Sequence, residues 1–299
     1  MNISIIIPNF NGKNLLEKNL PLVILAGKEY LDGKVEIVIV DDGSKDYSAK
    51  FIKNNYPMVK LITQDKNTGF AHSCNVGVKS AAGEIIILLN SDVVPDRNFI
   101  RPLINRFADP QVFAVGCLEK SSQNGKEILS GKAIGYYNRG LIWHNRAKDQ
   151  LTPGPTFWVA GGSGAFRKHI WEKLGGFDPI FAPFYWEDID LSYRAQKAGY
   201  QTLFEPQSLV FHQHESTIST FFSKSEIDKI SSRNQHLFFW KNITDPKMLI
   251  LYLLWMPYHF LISLSLFSCL KSLPAVLKKR QEIRPLLKIS DTKILAKYY

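Results

Sequence analysis

Ile85–Leu89 is apolar at all five positions, and the chain turns polar at once in Asn90-Ser91-Asp92. A strand that shows no polar face must be covered on both sides, which is the signature of a parallel sheet between helical layers. The pattern repeats. Ile3–Ile7, Val35–Val40, Val59–Ile62 and Val112–Gly116 are similar short runs rich in β-branched residues. Between them lie "NLLEKNLPLVILAG", "DYSAKFIKNN", "AHSCNVGVKSAAG" and "NFIRPLINRF", which read as helices. Strand–helix alternation over the first 118 residues predicts an α/β fold with a mostly parallel sheet. In such sheets ligands bind beyond the carboxyl ends of the strands.

Three strand ends carry polar clusters. Ile3–Ile7 runs into "PNFNG", Val35–Val40 into "DDGS" at 41–44, and Ile85–Leu89 into "NSD". Singly, Asp41, Asp42 and Ser44 could cap the turn that follows. Jointly, a parallel sheet brings them to one crevice. Asp92 stands just past a buried strand, where a carboxylate is costly unless a cation meets it. The glycine-rich segments match neither G-x-G-x-x-G after the first strand nor G-x-x-x-x-G-K-[ST], which excludes the usual dinucleotide and P-loop sites.

The segment from about 125 to 155 shows no clear period and reads as a hairpin or loop. "GGSGAFRKHIWEKLGGFD" reads as a glycine-rich turn and a short helix, and "WEDIDLSYRAQKAGY" as a helix ended by Gly199. "QTLFE" and "SLVFHQH" read as two further strands. Glu187, Asp188 and Asp190 cluster at a helix start, where the helix dipole favours negative charge. His212 and His214 lie two apart on a strand and share a face, as a surface pair or as metal ligands.

Net charge is +10, and 271–299 holds eight Lys or Arg against two Asp or Glu. Ahead of this basic tail, Met248–Leu270 has 23 residues without Asp, Glu, Lys or Arg, interrupted by Pro257 and His259. About 20 apolar residues suffice for a span. A soluble domain before the segment and a basic tail after it both favour the cytoplasmic side. A re-entrant or interfacial hairpin bent at Pro257 satisfies both; a single span and a buried core helix are the alternatives. The N-terminus is no signal peptide. Cys74, Cys117 and Cys269 lack disulfide or zinc spacing, which suits a reducing cytoplasm. The expected organisation is a catalytic unit over 1–225 and a helical, basic, membrane-associated region over 226–299.

In order, "IIIPNFNG", "VIVDDGSKD", "NTGFAHSCNVGVKSAAGEIIILLNSD", "GGSGAFRKHIWEKLGGFD", "WEDIDLSYRAQKAGY" and "VFHQHEST" resemble the family 2 glycosyltransferases, inverting enzymes of the GT-A fold. The likeness runs from Ile3 to about Ser219 and is greatest to rhamnosyl- and galactofuranosyl-type transferases of bacterial surface polysaccharides. It implies a nucleotide-diphosphate sugar donor, a Mg²⁺ or Mn²⁺ ion, and a saccharide or lipid-linked acceptor, with no nucleic-acid partner. It implies donor contacts from Pro8, Phe10, Asn11, Asp41, Asp42, Ser44, Asn67, Gly69, Asn75, Asn90 and Ser91. Asp92 falls on the metal position of the family's DxD motif, and His212 on a further ligand position. Asp188 falls on the catalytic base, with Glu187 beside it, and Gly162, Ser163, Trp186 and Glu187 on the acceptor side. Asn90 replaces the motif's first carboxylate, which puts strict metal dependence in question. The chemistry needs a Lewis acid on the leaving diphosphate and a base for the acceptor hydroxyl, with an oxocarbenium-like transition state. The alternative is a catalytically silent, donor-binding scaffold subunit at the membrane. A sugar nucleotidyltransferase lacks its glycine-rich basic loop here, and a processive synthase its QxxRW motif.

Overall fold

The computed structural model describes residues 1–123, 125–212, 222–262 and 269–298. Strands β1 (Ile3–Asn9), β2 (Val35–Asp41), β3 (Lys60–Thr63) and β4 (Ile85–Leu89) pair in parallel in the order β3-β2-β1-β4. Beyond β4 the sheet continues with β11 (Ser163–Arg167), β6 (Val112–Gln123) and β12 (Gln201–His212). β6 and β12 are parallel to each other, while β11 runs antiparallel to both β4 and β6. Short strands β5 (Val93–Pro95), β7 (Lys126–Ser130) and β10 (Gly154–Pro155) pair along β12 and β6. A separate antiparallel hairpin joins β8 (Ala133–Asn138) to β9 (Leu141–Arg146).

Alternate side chains of the sheet feed two cores. On one face Ile3, Ile5, Ile39, Ile85 and Ile87 pack under α1 (Lys13–Glu29), α2 (Ser48–Asn55) and α4 (Ile100–Arg106). On the other, Ile6, Val38, Val40, Ile86 and Leu88 pack under α3 (Phe70–Ser80), α5 (Lys168–Leu174) and α6 (Glu187–Lys197). Helices thus cover both faces, as continuous apolar strands require. Gly77 lets α3 lie close to the sheet: a Cβ there would stand 2.4 Å from Ile6 Cγ2.

Three sequence expectations change. "GSGAFR" is not merely a turn before a helix; Ser163–Arg167 inserts as the central antiparallel strand. "QTLFE" and "SLVFH" belong to one strand, irregular between Glu205 and Leu209, rather than two. Pro257 does not end its helix, which runs as α8 over Pro246–Ile262.

A third core joins the hairpin and the back of α6 to the C-terminal helices α7 (Lys224–Asn242), α8, α9 (Leu273–Ile283) and α10 (Asp291–Leu295). Phe157, Trp186 and Tyr193 there meet Phe238, Tyr252 and Ile294. Asp291, fully buried, accepts hydrogen bonds from Tyr193 Oη (2.6 Å), Lys197 Nζ (2.8 Å) and the Thr244 and Asp245 amides (2.8 Å each). Among the described residues, no helix is long and apolar enough to cross a membrane.

Candidate functional site

The carboxyl ends of β1, β2 and β4 lie side by side at one edge of the sheet, and local hydrogen bonds fix the loops there. Asn9 Nδ2 donates to Asp41 Oδ1 (2.8 Å), and Ser44 Oγ accepts from the Asn11 amide (2.9 Å). Asn11 takes a left-handed φ of 51° and its Oδ1 caps the Lys45 amide. These bonds bind the loop after β1, which carries Phe10, to the loop after β2. Pro8 precedes it, paired with Val40. Asp42 is buried and holds a third loop: Oδ1 accepts from Gln64 Nε2, the Thr68 amide and Thr68 Oγ1, and Oδ2 from the Gly69 amide, all at 2.7–2.8 Å. Asn67 is exposed on that loop, and Gly69 takes a left-handed φ of 92° at its end. Asn75 faces elsewhere, its amide pairing with both the N–H and the C=O of Phe177.

At the end of β4, Asp92 is 8% exposed and meets His212 across the sheet, Oδ2 to Nε2 at 3.2 Å. Burial opposes a charge on His212, but its hydrogen bond to Asp92 and the carboxylates of Asp92 and Glu119 outweigh burial and raise its pKa. So the partner that Asp92 meets within the protein is a histidine. Ser91 lies beside them, its carbonyl held by Asn19 Nδ2 (2.8 Å) and its hydroxyl near Gly12. His214 lies outside the described residues.

The loop before β11 adjoins these strand ends. The Asn90 amide donates to the Gly162 carbonyl (2.9 Å), and a Cβ on Gly162 would stand 2.5 Å from Asn90 Nδ2, so a larger residue there would displace the Asn90 side chain. The neighbouring Gly161 amide donates to Asp188 Oδ2 (3.2 Å). Asn90-Ser91-Asp92 and Asp188 are therefore linked through two adjacent glycines. Ser163 Oγ donates to Glu119 on β6, and that carboxylate acts electrostatically on both Asp188 and His212. Glu119 escapes sequence reading because the expected strand ends at Gly116, whereas β6 extends to Gln123.

Glu187 and Asp188 open α6, straight after Tyr185 (φ 69°) and Trp186 (φ 77°), both left-handed. Burial, with Asp188 adjacent, pushes the Glu187 pKa well up. Burial also lifts Asp188 from 3.8 to about 6, against the pull of the Gly161 and Ile189 amides, with Glu119 adding a little. Both shifts run upward, further for Glu187 than for Asp188. Trp186 is buried, edge-on to His144 of the hairpin, which stands edge-on to Trp158.

For a divalent cation the donor set is one carboxylate and one imidazole side by side. Among the described residues no third His, Cys, Asp or Glu completes the set. That suits an ion taking its remaining ligands from phosphate and water, as Mg²⁺ does, and not a closed structural site.

Known proteins agree with this architecture. The chain is 26% identical over 222 residues to the O-antigen chain rhamnosyltransferase RfbN of Salmonella typhimurium, covering 73% of this chain and 68% of the relative. It is 27% identical over 211 residues to the poly-beta-1,6-N-acetyl-D-glucosamine synthase of Staphylococcus aureus, covering 69% of this chain but only 48% of that one. Among solved structures, the mannosyltransferase PcManGT of Pyrobaculum calidifontis, in complex with GDP-Man and Mn²⁺, superposes with a TM-score of 0.59 at 18% identity, over 98% of this chain and 84% of its own. The fold is GT-A. The model of glycosyl transferase family 2 matches residues 4–175, more than half the chain, and the protein belongs to that family.

Proposed function

We propose that the protein is an inverting glycosyltransferase that moves a sugar from a nucleotide-diphosphate donor to a hydroxyl of a saccharide or lipid-linked saccharide, in the synthesis of a cell-surface polysaccharide. The observation that carries this reading is the Gly161–Gly162 bridge, which sets the ionisable Asp188 against the strand end bearing Asp92. The O-antigen and poly-N-acetylglucosamine relatives support the acceptor class, and the GDP-Man and Mn²⁺ of the structural neighbour support the donor class.

In this reading the loops at Phe10–Asn11, Asp41–Ser44 and Asn67–Gly69 bind the nucleotide. Asp42 acts mainly by holding the third of these in place. Asp92 and His212 would hold a divalent cation, which supplies positive charge to the departing diphosphate. Asp188 takes the proton of the acceptor hydroxyl. The acceptor oxygen attacks the anomeric carbon from the face opposite the diphosphate, the bond to the phosphate oxygen breaks, and the configuration inverts. Burial and the neighbouring Asp188 push the Glu187 pKa well up, which disfavours a second negative charge beside the base. Gly162, Ser163 and Trp186 line the acceptor side.

We assign residues 1–225 to catalysis, and residues 226–299 to a helical region that braces the catalytic unit on one side and meets the cytoplasmic surface of the membrane on the other. On α8, Ile250, Leu253, Leu254 and Leu261 share one face and are 59–86% exposed. Exposed Lys247, Lys271 and Lys278 lie near it in sequence. An apolar stripe with basic neighbours suits an anionic bilayer surface.

The test is release of nucleoside diphosphate from a panel of nucleotide sugars, with a saccharide acceptor, by wild type and Asp188→Asn. Transfer by wild type from one donor, lost in the variant with donor binding kept, is the expected result. Donor binding without turnover in wild type would favour the silent subunit instead.

A further inference from the structure

Tyr185 and Trp186 pose a problem that their own loop does not solve. Two consecutive bulky residues in the left-handed region cost about 1–3 kcal/mol each and persist only where the surroundings impose them. They immediately precede Glu187 and Asp188, so their conformation decides how the chain enters α6. Within the loop, Tyr185 is 42% exposed and packs edge-on against Phe184, which does not dictate a backbone angle.

The constraint comes from α7, some 50 residues on. Asn234 is fully buried, and its Nδ2 reaches three carbonyls of this one loop: Phe181 (2.7 Å), Phe184 (3.0 Å) and Tyr185 (2.9 Å). Its orientation is fixed, because Oδ1 accepts from Arg233 Nε (3.0 Å) and Nη2 (2.8 Å). A flipped amide would put its N–H₂ against the guanidinium and its oxygen against three carbonyls. Arg233 Nη2 also donates to the Ala182 carbonyl, and Trp186 Nε1 approaches Ser231 Oγ at 3.4 Å. Further along α7, Lys241 Nζ bonds Asp178 (2.7 Å) and Asp190 (2.9 Å), on either side of the loop. The helix therefore grips the acid-bearing loop at both ends and in the middle.

We propose that Asn234 is a positioning residue for glycosyl transfer. Its amide holds the 181–185 carbonyls, fixes Tyr185 and Trp186 in their left-handed conformation, and thereby sets where Asp188 lies relative to Gly161 and the donor. The proposal rests on the reading of Asp188 as the base. It gives α7, which the family match at 4–175 does not reach, a part in the chemistry.

The experiment compares full-length wild type, Asn234→Ala and Arg233→Ala by steady-state kinetics, nucleotide titration and hydrogen–deuterium exchange. A displacement of about 1 Å at a reacting group can cost roughly 10²-fold in rate. Asn234→Ala is expected to lower kcat by about that factor, with donor KM and nucleotide Kd within about twofold of wild type. Amide exchange should quicken in 181–190 and stay unchanged in the β1, β2 and β4 strands. Arg233→Ala frees the amide to rotate without opening the core, so it should show the same split at smaller amplitude; it decides the matter if Asn234→Ala does not fold. Unchanged kcat in an active preparation, equal losses in kcat and nucleotide affinity, or unchanged exchange over 181–190 would each overturn the proposal. A wild type that transfers no sugar would refute the base assignment alone, because the exchange data still report whether Asn234 fixes the loop.

Discussion

Asp188→Asn should inactivate the protein and stabilise it. Burial lifts the Asp188 pKa from 3.8 to about 6, so the folded state binds this proton more tightly than the unfolded chain does. Below pH 3.8 both states are protonated and folding is not penalised. As pH rises through the interval up to about 6, the unfolded chain ionises first and the native state loses stability relative to it. Two pH units correspond to about 3 kcal/mol. Asp188 is only partly covered, so solvent screening reduces this to about 2 kcal/mol. An uncharged amide of the same shape avoids the cost, apart from an altered bond to the Gly161 amide. For a chain of this size the gain is a few degrees in Tm. The assay is thermal unfolding of wild type and variant at pH 4 and pH 7.5, beside turnover on the active donor. The variant should melt higher at pH 7.5, the gap should close at pH 4, and turnover should fall by about 10²–10⁴-fold. Wild-type kcat should rise with pH to a plateau, with a midpoint near 6. A variant that melts lower at pH 7.5, or a gap that does not depend on pH, would refute the strained-base argument whatever the turnover.

The other predictions concern the donor loops, the cation and the membrane face. Asp92→Ala should abolish the contribution of Mn²⁺ to nucleoside-diphosphate affinity in calorimetric titration; a cation effect equal to wild type would remove Asp92 and His212 as its holders. Asp42→Ala strips the acceptor from four hydrogen bonds of the 64–69 loop, so nucleotide affinity should fall by at least about tenfold, and unchanged affinity would detach that loop from the donor. Leu253→Glu with Leu254→Glu alters two exposed side chains and should leave Tm within about a degree, while reducing co-sedimentation with phosphatidylglycerol vesicles; undiminished binding would move the contact off α8.

The parallel half of the sheet was legible because its strands carry their burial in composition: Ile85–Leu89 has no polar face to show. The antiparallel half was not. Ser163–Arg167 is small and glycine-bearing, "SGAFR", with none of the β-branched residues that mark a strand; its place is set by pairing with β4 and β6 on either side. The three polar strand ends were expected together, and β1, β2 and β4 are parallel neighbours whose ends lie on one edge. What sequence could not show is how their atoms are used: Asp42 is engaged by Gln64, Thr68 and Gly69, and Asn75 by Phe177. The fastening of α7 to the 178–190 loop was invisible for a similar reason. It is made by single polar side chains, Asn234 and Lys241, to groups some 50 residues distant, and no periodicity records such a contact.

The run Glu187-Asp188-Ile189-Asp190 shows what environment adds to sequence. All three acids sit in the first turn of one helix and share its dipole, yet they behave oppositely. Burial works against a charge on Asp190, but Arg194 and Lys241, at 2.8 and 2.9 Å, outweigh it and hold the pKa below the ordinary value. Asn242 adds a hydrogen bond at 2.8 Å. Arg194 also donates to the Leu174 and Gly176 carbonyls, so Asp190 anchors the start of α6 to α5 as well as to α7. Among the described residues no such cation pairs with Glu187 or Asp188, and burial raises both. Removing one partner of a buried, paired charge costs about 3–5 kcal/mol. Asp190→Asn should therefore destabilise the protein where Asp188→Asn stabilises it, two residues away on the same helix. Pairs of carboxyl groups whose surroundings drive their pKa values apart divide structural from chemical work. Here the division falls between Asp190, neutralised by its neighbours, and Asp188, the base of the proposed transfer.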